Sequence, residues 1–530
     1  MKKKLILKIL IGIVVLILLV QGVTVLILEP WVARKVQTLL NNPTSRIIYK
    51  IDDVDISLLT FGIKFEKITL YTHAGEGIEN CQIGEISLVD IKGIHLFKAL
   101  FSKEWKVDAL TVTDCIFSDQ YPLSHRNLHP FTPPANIFVE NVNLDHLELS
   151  FQDSATSKSY LFHNSQLIMH NFNLLKGEKL VNFTSENFEF QTPQLAVTSP
   201  NGMYTFIADT VMYSALSEIL KISSFKIQPN YKGYDFTSRE KYQTDRVEAT
   251  FSNNQVFGFC AEDYIRDGNI ICTDIEIGQM AMDIFRDRRK PFEHKLKPVF
   301  QDILLEYPHR IDIDSMHFGS GSIKYTEHAE GANHPGSITF REITGSIISF
   351  SNDSLRKNRN DTLVLKAEAM IYGKSKLRLI TTARLFQADK AFHMKGRLAP
   401  MNIKDLNPIL EKNAFIYAHG KINSLDFNFT ANKYKANGSV LFLYNDLGVT
   451  IKNKNTDDTT GAKEVILTRL ANKAILDSNP LRHDEARTGI IDYKRDPEKM
   501  FFNYCLKSVI SGMKESVRKA SKKKKKDLKD

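Results

Sequence analysis

The chain has 530 residues, 43% hydrophobic and 25% charged, with 33 Phe and 18 Tyr. This balance excludes wholesale disorder, and the length excludes one ordinary compact core unless that core is elongated and repeat-built. The net charge of +9 comes largely from Lys2 to Lys8 and from a tail with Lys519, Lys522 to Lys526 and Lys529; the nearly neutral body between them argues against a nucleic-acid partner.

After the basic N-terminus (1–8), no residue from Ile9 to Leu28 is charged. About 20 residues at ~1.5 Å rise cross a ~30 Å hydrocarbon layer, so 9–28 reads as a transmembrane anchor. A secretory signal has a shorter apolar run before a small-x-small site. Here Val20-Gln21-Gly22-Val23-Thr24 continues into Val25 to Leu28. A cleaved signal peptide is the competing reading, and it too exports the body. Lys2, Lys3, Lys4 and Lys8 outweigh Arg34 and Lys35 beyond the span, which predicts a cytoplasmic N-terminus.

A short helix is expected from Pro30 to Asn42, stopped by Asn42-Pro43. From about 49 to 450 apolar residues recur at every second position, the period of strands. Val142, Leu144, then Leu147, Leu149 and Phe151 alternate with polar residues; Leu363 to Ile371 and Leu377 to Leu385 do so on either side of Gly373-Lys374-Ser375. One apolar and one wet face is the mark of antiparallel meanders. Phe97 to Ser102 and Met280 to Tyr307 read as helical interruptions, the second cut by Pro291 and Pro298.

The expected organisation is an N-terminal β region (30–280), a helical insertion (281–310), a C-terminal β module (311–450), a connecting region with short ordered pieces (451–495), an amphipathic helix (496–518) and a basic tail (519–530). In the helix, Phe502, Leu506, Val509, Ile510 and Met513 recur at helical spacing opposite a basic face, which suits contact with a membrane surface or the plugging of a groove.

The five cysteines include no C-x-x-C pair, so neither a disulfide framework nor a zinc site is expected. Only Cys260 and Cys272 are close enough in sequence to pair. Glu327, His328, Glu330 and His334 match no metal-site spacing and read as a solvated loop. Asp446 reads as a turn residue. No nucleophile elbow, P-loop or dinucleotide fingerprint occurs, so no cofactor and no enzymatic activity are expected.

Three stretches share a strand, turn, strand plan, clearest in Ile311 to Phe318, Gly319-Ser320-Gly321, Ser322 to Tyr325 and Gly336 to Ile343. With Val54 to Leu70 after the anchor and Gly438 to Leu447 near the end, the chain resembles the AsmA-like superfamily. The resemblance implies a mainly β fold: a transmembrane helix, then an elongated, antiparallel, taco-like β-groove with a few short helices. It also implies a non-enzymatic, single-pass protein of the bacterial inner membrane, its bulk periplasmic. Such a protein carries phospholipids or glycolipids between membranes or supports outer-membrane biogenesis, with outer-membrane assembly proteins as further partners; the alternative is a scaffold or assembly factor for outer-membrane proteins acting by β-augmentation. Residues expected to line the lipid path are Phe61, Phe65, Phe318, Tyr325, Phe340, Phe427, Phe429, Phe442 and Tyr444.

Overall fold

A computed structural model describes residues 2–41, 47–58, 60–72, 82–95, 104–123, 136–153, 159–175, 182–358, 361–454, 456, 458–481 and 484–519. The chain is mainly β, as expected, and divides into two units, Met1–Ser223 and Ser224–Asp530.

In the first unit, α1 (Lys2–Val23) passes through a π-helical turn, Thr24–Leu28, into α2 (Glu29–Leu40). The turn widens where the Thr24 hydroxyl donates back to the Val20 carbonyl at 2.9 Å. This helix is long and apolar enough to cross a membrane. The strands are β1 (Ile47–Ser57), β2 (Gly62–Thr72), β3 (Gln82–Lys92), β4 (Trp105–Leu123), β5 (Ile137–Asp153), β6 (Ser159–Leu175), β7 (Asn182–Thr184), β8 (Asn187–Thr198) and β9 (Tyr204–Ser214). They pair in the order 1-2-3-4-5-6-8-9, with β7 beside the end of β6. All these pairs are antiparallel except β4–β5, which is parallel. Val32, Ala33 and Val36 of α2 pack on Ile51, Val54, Phe65 and Ile68 of β1 and β2. The helix expected at Phe97 to Ser102 lies outside the described residues.

Strand β10 (Ile219–Pro229) spans the boundary in the chain. The second unit continues with α3 (Gly233–Arg239), β11 (Asp245–Phe257), α4 (Ala261–Asp267), β12 (Ile270–Asp287), α5 (Phe300–Leu305), β13 (Ile311–His328), β14 (Gly336–Ser351), β15 (Thr362–Ile371), β16 (Ser375–Arg384), β17 (Phe392–Leu398) and β18 (Met401–Asn402). It ends with α6 (Asn407–Asn413), β19 (Ile416–Ala431), β20 (Lys435–Ile451), α7 (Ala462–Ala474), β21 (Thr488–Lys494) and α8 (Phe501–Val517). From β11 on, its strands pair in the order 11-12-13-14-15-16-17-19-20-21, with β18 also beside β19, antiparallel except for the parallel pair β12–β13.

That parallel pair corrects the expected helical insertion. Met280 to Asp287 is strand, hydrogen-bonded to β11 on one side and β13 on the other. Met280, Met282 and Ile284 satisfy a period of two as well as a helical stripe, and pairing on both edges decides between them. Only Phe300–Leu305 is helical, within the long crossover that parallel strands require.

The expected connecting region also folds more fully than its sequence suggests. Strand β21 extends the sheet beside β20, α7 lies against β20, and α8 crosses β21 and β20. At the α8 crossing the backbones touch: a Cβ on Gly489 would lie 1.9 Å from the Gly512 carbonyl oxygen. Small residues on both elements are what permit that approach. Asp446 sits within β20 at φ +54, opposite the left-handed Gly420, as a bulge rather than a turn.

Candidate functional site

Residues opposite one another in a sheet share a face, so the register identifies each surface. In the first unit one face carries Leu110 and Val112 of β4, Val142 and Leu144 of β5, Leu167 and Met169 of β6, and Phe188 and Phe190 of β8, ending at Tyr213 of β9. A second band on the same face runs Phe117, Leu149, Phe162, Leu195, Ala208. The opposite face presents Asn141, Asn143, His170, Gln166, Glu189, Gln194 and Asp209.

The two bands are separated by an extra residue in each strand. Asp114, His146, Asn164 and Thr210 lie at the same level across β4, β5, β6 and β9, all with positive φ, between +47 and +53. Asp114 also binds the His146 ring at 3.0 Å. Each bulge steps the alternation by one, so Leu144 is followed on its face by Leu147 rather than by residue 146. Along this crease the apolar face holds one buried polar pair, in which Ser165 donates to Thr192 at 2.8 Å.

Many residues of this face, Phe188, Phe190, Leu195 and Leu144 among them, are only partly buried. Among the described residues no helix packs on β4 to β9. The result is an apolar surface lined by aromatic and aliphatic side chains and free of charge along both bands.

The second unit differs. Its apolar face begins with partly buried rows, such as Val247, Ile284, Tyr325 and Ile338, and then becomes a sealed core. There Phe392, Phe429, Phe442 and Tyr444 are buried with Tyr504 and Val509 of α8. Phe392 meets Phe429, Phe501 and Tyr504 at ring distances of 6.2, 5.0 and 6.2 Å. Burial pushes the Tyr444 hydroxyl and the Cys505 thiol each up to about 12.

One row at the end of β11 to β13 is charged. Asp245, Arg286 and Glu327 stand in register on the face that carries Ile284 and Tyr325. Arg286 binds Asp245 at 3.2 Å, while Glu327 accepts from Arg288 at 3.0 Å, Tyr325 at 2.8 Å and Asn413 at 3.0 Å. Burial raises the Asp245 carboxyl against the opposing pull of Arg286. Burial also raises the Tyr325 hydroxyl, with the Glu327 carboxylate adding to it. This ladder closes one end of the apolar rows.

The expected lipid-lining residues therefore fall into distinct settings. Phe318, Tyr325, Phe340 and Phe427 are partly buried on the apolar face, with the Phe427 ring over Gly396. Phe429, Phe442 and Tyr444 lie in the sealed core. Phe65 is buried under α2, and Phe61 is exposed at the β1–β2 turn.

Of the residues expected to contact a membrane, Phe502 and Leu506 are exposed. Val509 is buried against the sheet, Met513 packs on the same core and Ile510 is partly buried. The apolar stripe of α8 is used mostly inward, where β20 and β21 supply the partner that the sequence did not reveal.

Glu327 and His328 are not in a solvated loop either. His328 is buried, its ring nitrogens 2.8 Å from the Tyr234 hydroxyl and 2.8 Å from the Ala332 carbonyl. Cys260 and Cys272 are both free. The richest part of the apolar face, Phe188 to Tyr213, went unmarked in the sequence, although Phe188-Glu189-Phe190 and Leu195-Ala196-Val197 carry its alternation. No family model, no curated protein and no solved structure matches the chain.

Proposed function

We propose that the chain is a non-enzymatic, membrane-anchored protein of the AsmA-like type, fixed in a bacterial inner membrane with its body in the periplasm. On this reading it shields the acyl chains of phospholipids or glycolipids on its apolar face and so carries them between membranes or supports outer-membrane biogenesis. The observation that carries the reading is the one-sided face of β4 to β9, partly accessible and bearing no helix among the described residues. Keeping acyl chains out of water is worth ~0.8 kcal/mol per CH₂, so such a face lowers the barrier to lipid movement without any chemical step.

The scaffold alternative needs free strand edges, and side chains cap some backbone groups of β1 and β21, which supports the first reading. The Asn41 side chain accepts from the Tyr49 N–H at 2.7 Å and donates to the Tyr49 carbonyl at 2.8 Å, and Glu29 accepts from the Ile56 N–H at 3.3 Å. At β21, the Glu515 carboxylate takes the Ile490 N–H.

The test is photo-crosslinking of the full chain with probes at Leu144, Phe190 and Phe442, followed by mass spectrometry. Lipid adducts at Leu144 and Phe190 but not at the sealed Phe442 are expected. Protein adducts alone at the first two positions would transfer the case to the scaffold.

A further inference from the structure

The course of β1 fixes where the β1–β2 turn lies relative to the anchor. Tyr49, near the start of β1, is bound to Asn41 at the far end of α2, whereas Ile56, near its end, is bound to Glu29 at the near end. Strand β1 therefore runs back along α2 toward the apolar helix. Its turn into β2 lies at the level of Glu29, the first charged residue after the uncharged stretch Ile9 to Leu28.

The turn has unusual chemistry for that position. Exposed turns favour Gly, Asn, Asp and Ser, but this one reads Leu58-Leu59-Thr60-Phe61. Leu58 is 48% exposed and Phe61 57% exposed. Phe61 also adopts a left-handed φ of +46, a conformation bulky residues seldom take.

The rim continues through the next strands. The carbonyls of Thr60 and Phe61 accept from the N–H groups of Gly93 and Ile94 at 3.2 and 2.9 Å, just past the end of β3. Antiparallel to β3, β4 begins on the same rim with Trp105, 43% exposed. The other tryptophan of the chain, Trp31, is 61% exposed on α2 beside Glu29. Both tryptophans thus stand at one end of one sheet, in the manner of residues with an apolar body at a membrane interface.

We propose that this rim, Leu58 and Phe61 of the β1–β2 turn with Trp31 and Trp105, is embedded in the membrane that holds α1. The proposal rests on the reading of α1 as a membrane span and deepens the proposed function. It brings the end of the sheet at which β3 ends and β4 begins to the bilayer, so that a lipid passes onto the sheet without crossing water.

Tryptophan quenching tests it on the full chain in vesicles of dibrominated phosphatidylcholine. One protein carries Trp31→Phe and Trp105→Phe with Phe61→Trp as its single tryptophan; a second carries Trp105→Phe alone and reports Trp31. A third carries both Phe replacements with Leu161→Trp, a 45% exposed position on the polar face. Strong quenching of Phe61→Trp, comparable to that of Trp31, with none at Leu161→Trp, is the expected result. Phe61→Trp unquenched beside a quenched Trp31 overturns the proposal but leaves the anchor standing. No quenching at Trp31 overturns the anchor reading and the proposal with it. Equal quenching at all three positions means that the body lies flat on the vesicle, which also overturns it.

Discussion

Replacing Phe190 and Phe442 by alanine, one at a time, separates an open apolar face from a sealed core. Phe442 is 3% exposed, with its ring centroid 4.6 Å from that of Tyr444. Removing about 150 Å² of phenyl surface at ~25 cal/mol per Å² costs about 4 kcal/mol, within the ~3–5 kcal/mol found when Phe is truncated in cores. Phe190 stands opposite Leu167 and Tyr213 and is only partly buried. It forfeits less area and leaves no sealed cavity, so about 2 kcal/mol is expected. The assay is the denaturant midpoint at constant m: the tryptophan signal, from Trp31 and Trp105, belongs to the first unit alone, and loss of protection of the buried Cys505 thiol follows the second. With phospholipid bound, the Phe190→Ala deficit should grow, while that of Phe442→Ala should not change. A Phe190→Ala cost equal to that of Phe442→Ala, insensitive to lipid, would falsify the idea that this face is uncovered.

Gly489→Ala places a methyl group inside the contact with Gly512 and should loosen α8 by about 1–3 kcal/mol; the readout is Cys505, whose buried thiol should resist labelling at pH 8 in the parent and react in the variant. Asn41→Ala removes both hydrogen bonds to Tyr49, so about 1–3 kcal/mol of local protection should vanish from β1 in hydrogen exchange, and light scattering should show self-association through the bared edge. Arg289 donates to Asp287 at 2.9 and 2.8 Å and holds that carboxyl below the usual 3.8. Its folded pKa being lower than the unfolded one, its contribution is full above the usual carboxylate range and fades as pH falls toward the folded value. Thermal melts of Asp287→Asn should therefore show a deficit of about 2 kcal/mol at neutral pH that closes in acid.

Much of the fold was legible because its signals are local. The uncharged run to Leu28, the helix stopped before Pro43 and the hairpin around Gly373-Lys374-Ser375 need only their own neighbourhoods, and the structure places α2 at Glu29–Leu40 and β15–β16 at 362–371 and 375–384. Pairing was not legible, since nothing near Met280 states that β11 and β13 will flank it in opposite senses. The candidate surface was half legible for a similar reason. Alternation marks a residue as inward, but whether the inside is then filled depends on a distant element. Phe442 and Phe190 look alike in sequence; α8, close to Phe442 in space, makes one of them core. The same ambiguity assigned Val509 to a membrane when it belongs to the sheet.

The crease through Asp114, His146, Asn164 and Thr210 makes the strands intolerant of a kind of change that loops accept freely. Above it the inward positions are even-numbered in β4 and β5, with Leu110, Val112, Val142 and Leu144; below it they are odd-numbered, with Cys115, Phe117, Leu147 and Leu149. Excising one bulge residue would therefore not shorten a strand so much as turn half of it inside out, exposing Leu147 and Leu149 and facing Glu148 inward. Each strand thus carries a frame, and the extra residue sets it. Homologous changes in length should be found at the strand ends or in compensating pairs on adjacent strands, because only those leave the frame intact on both sides.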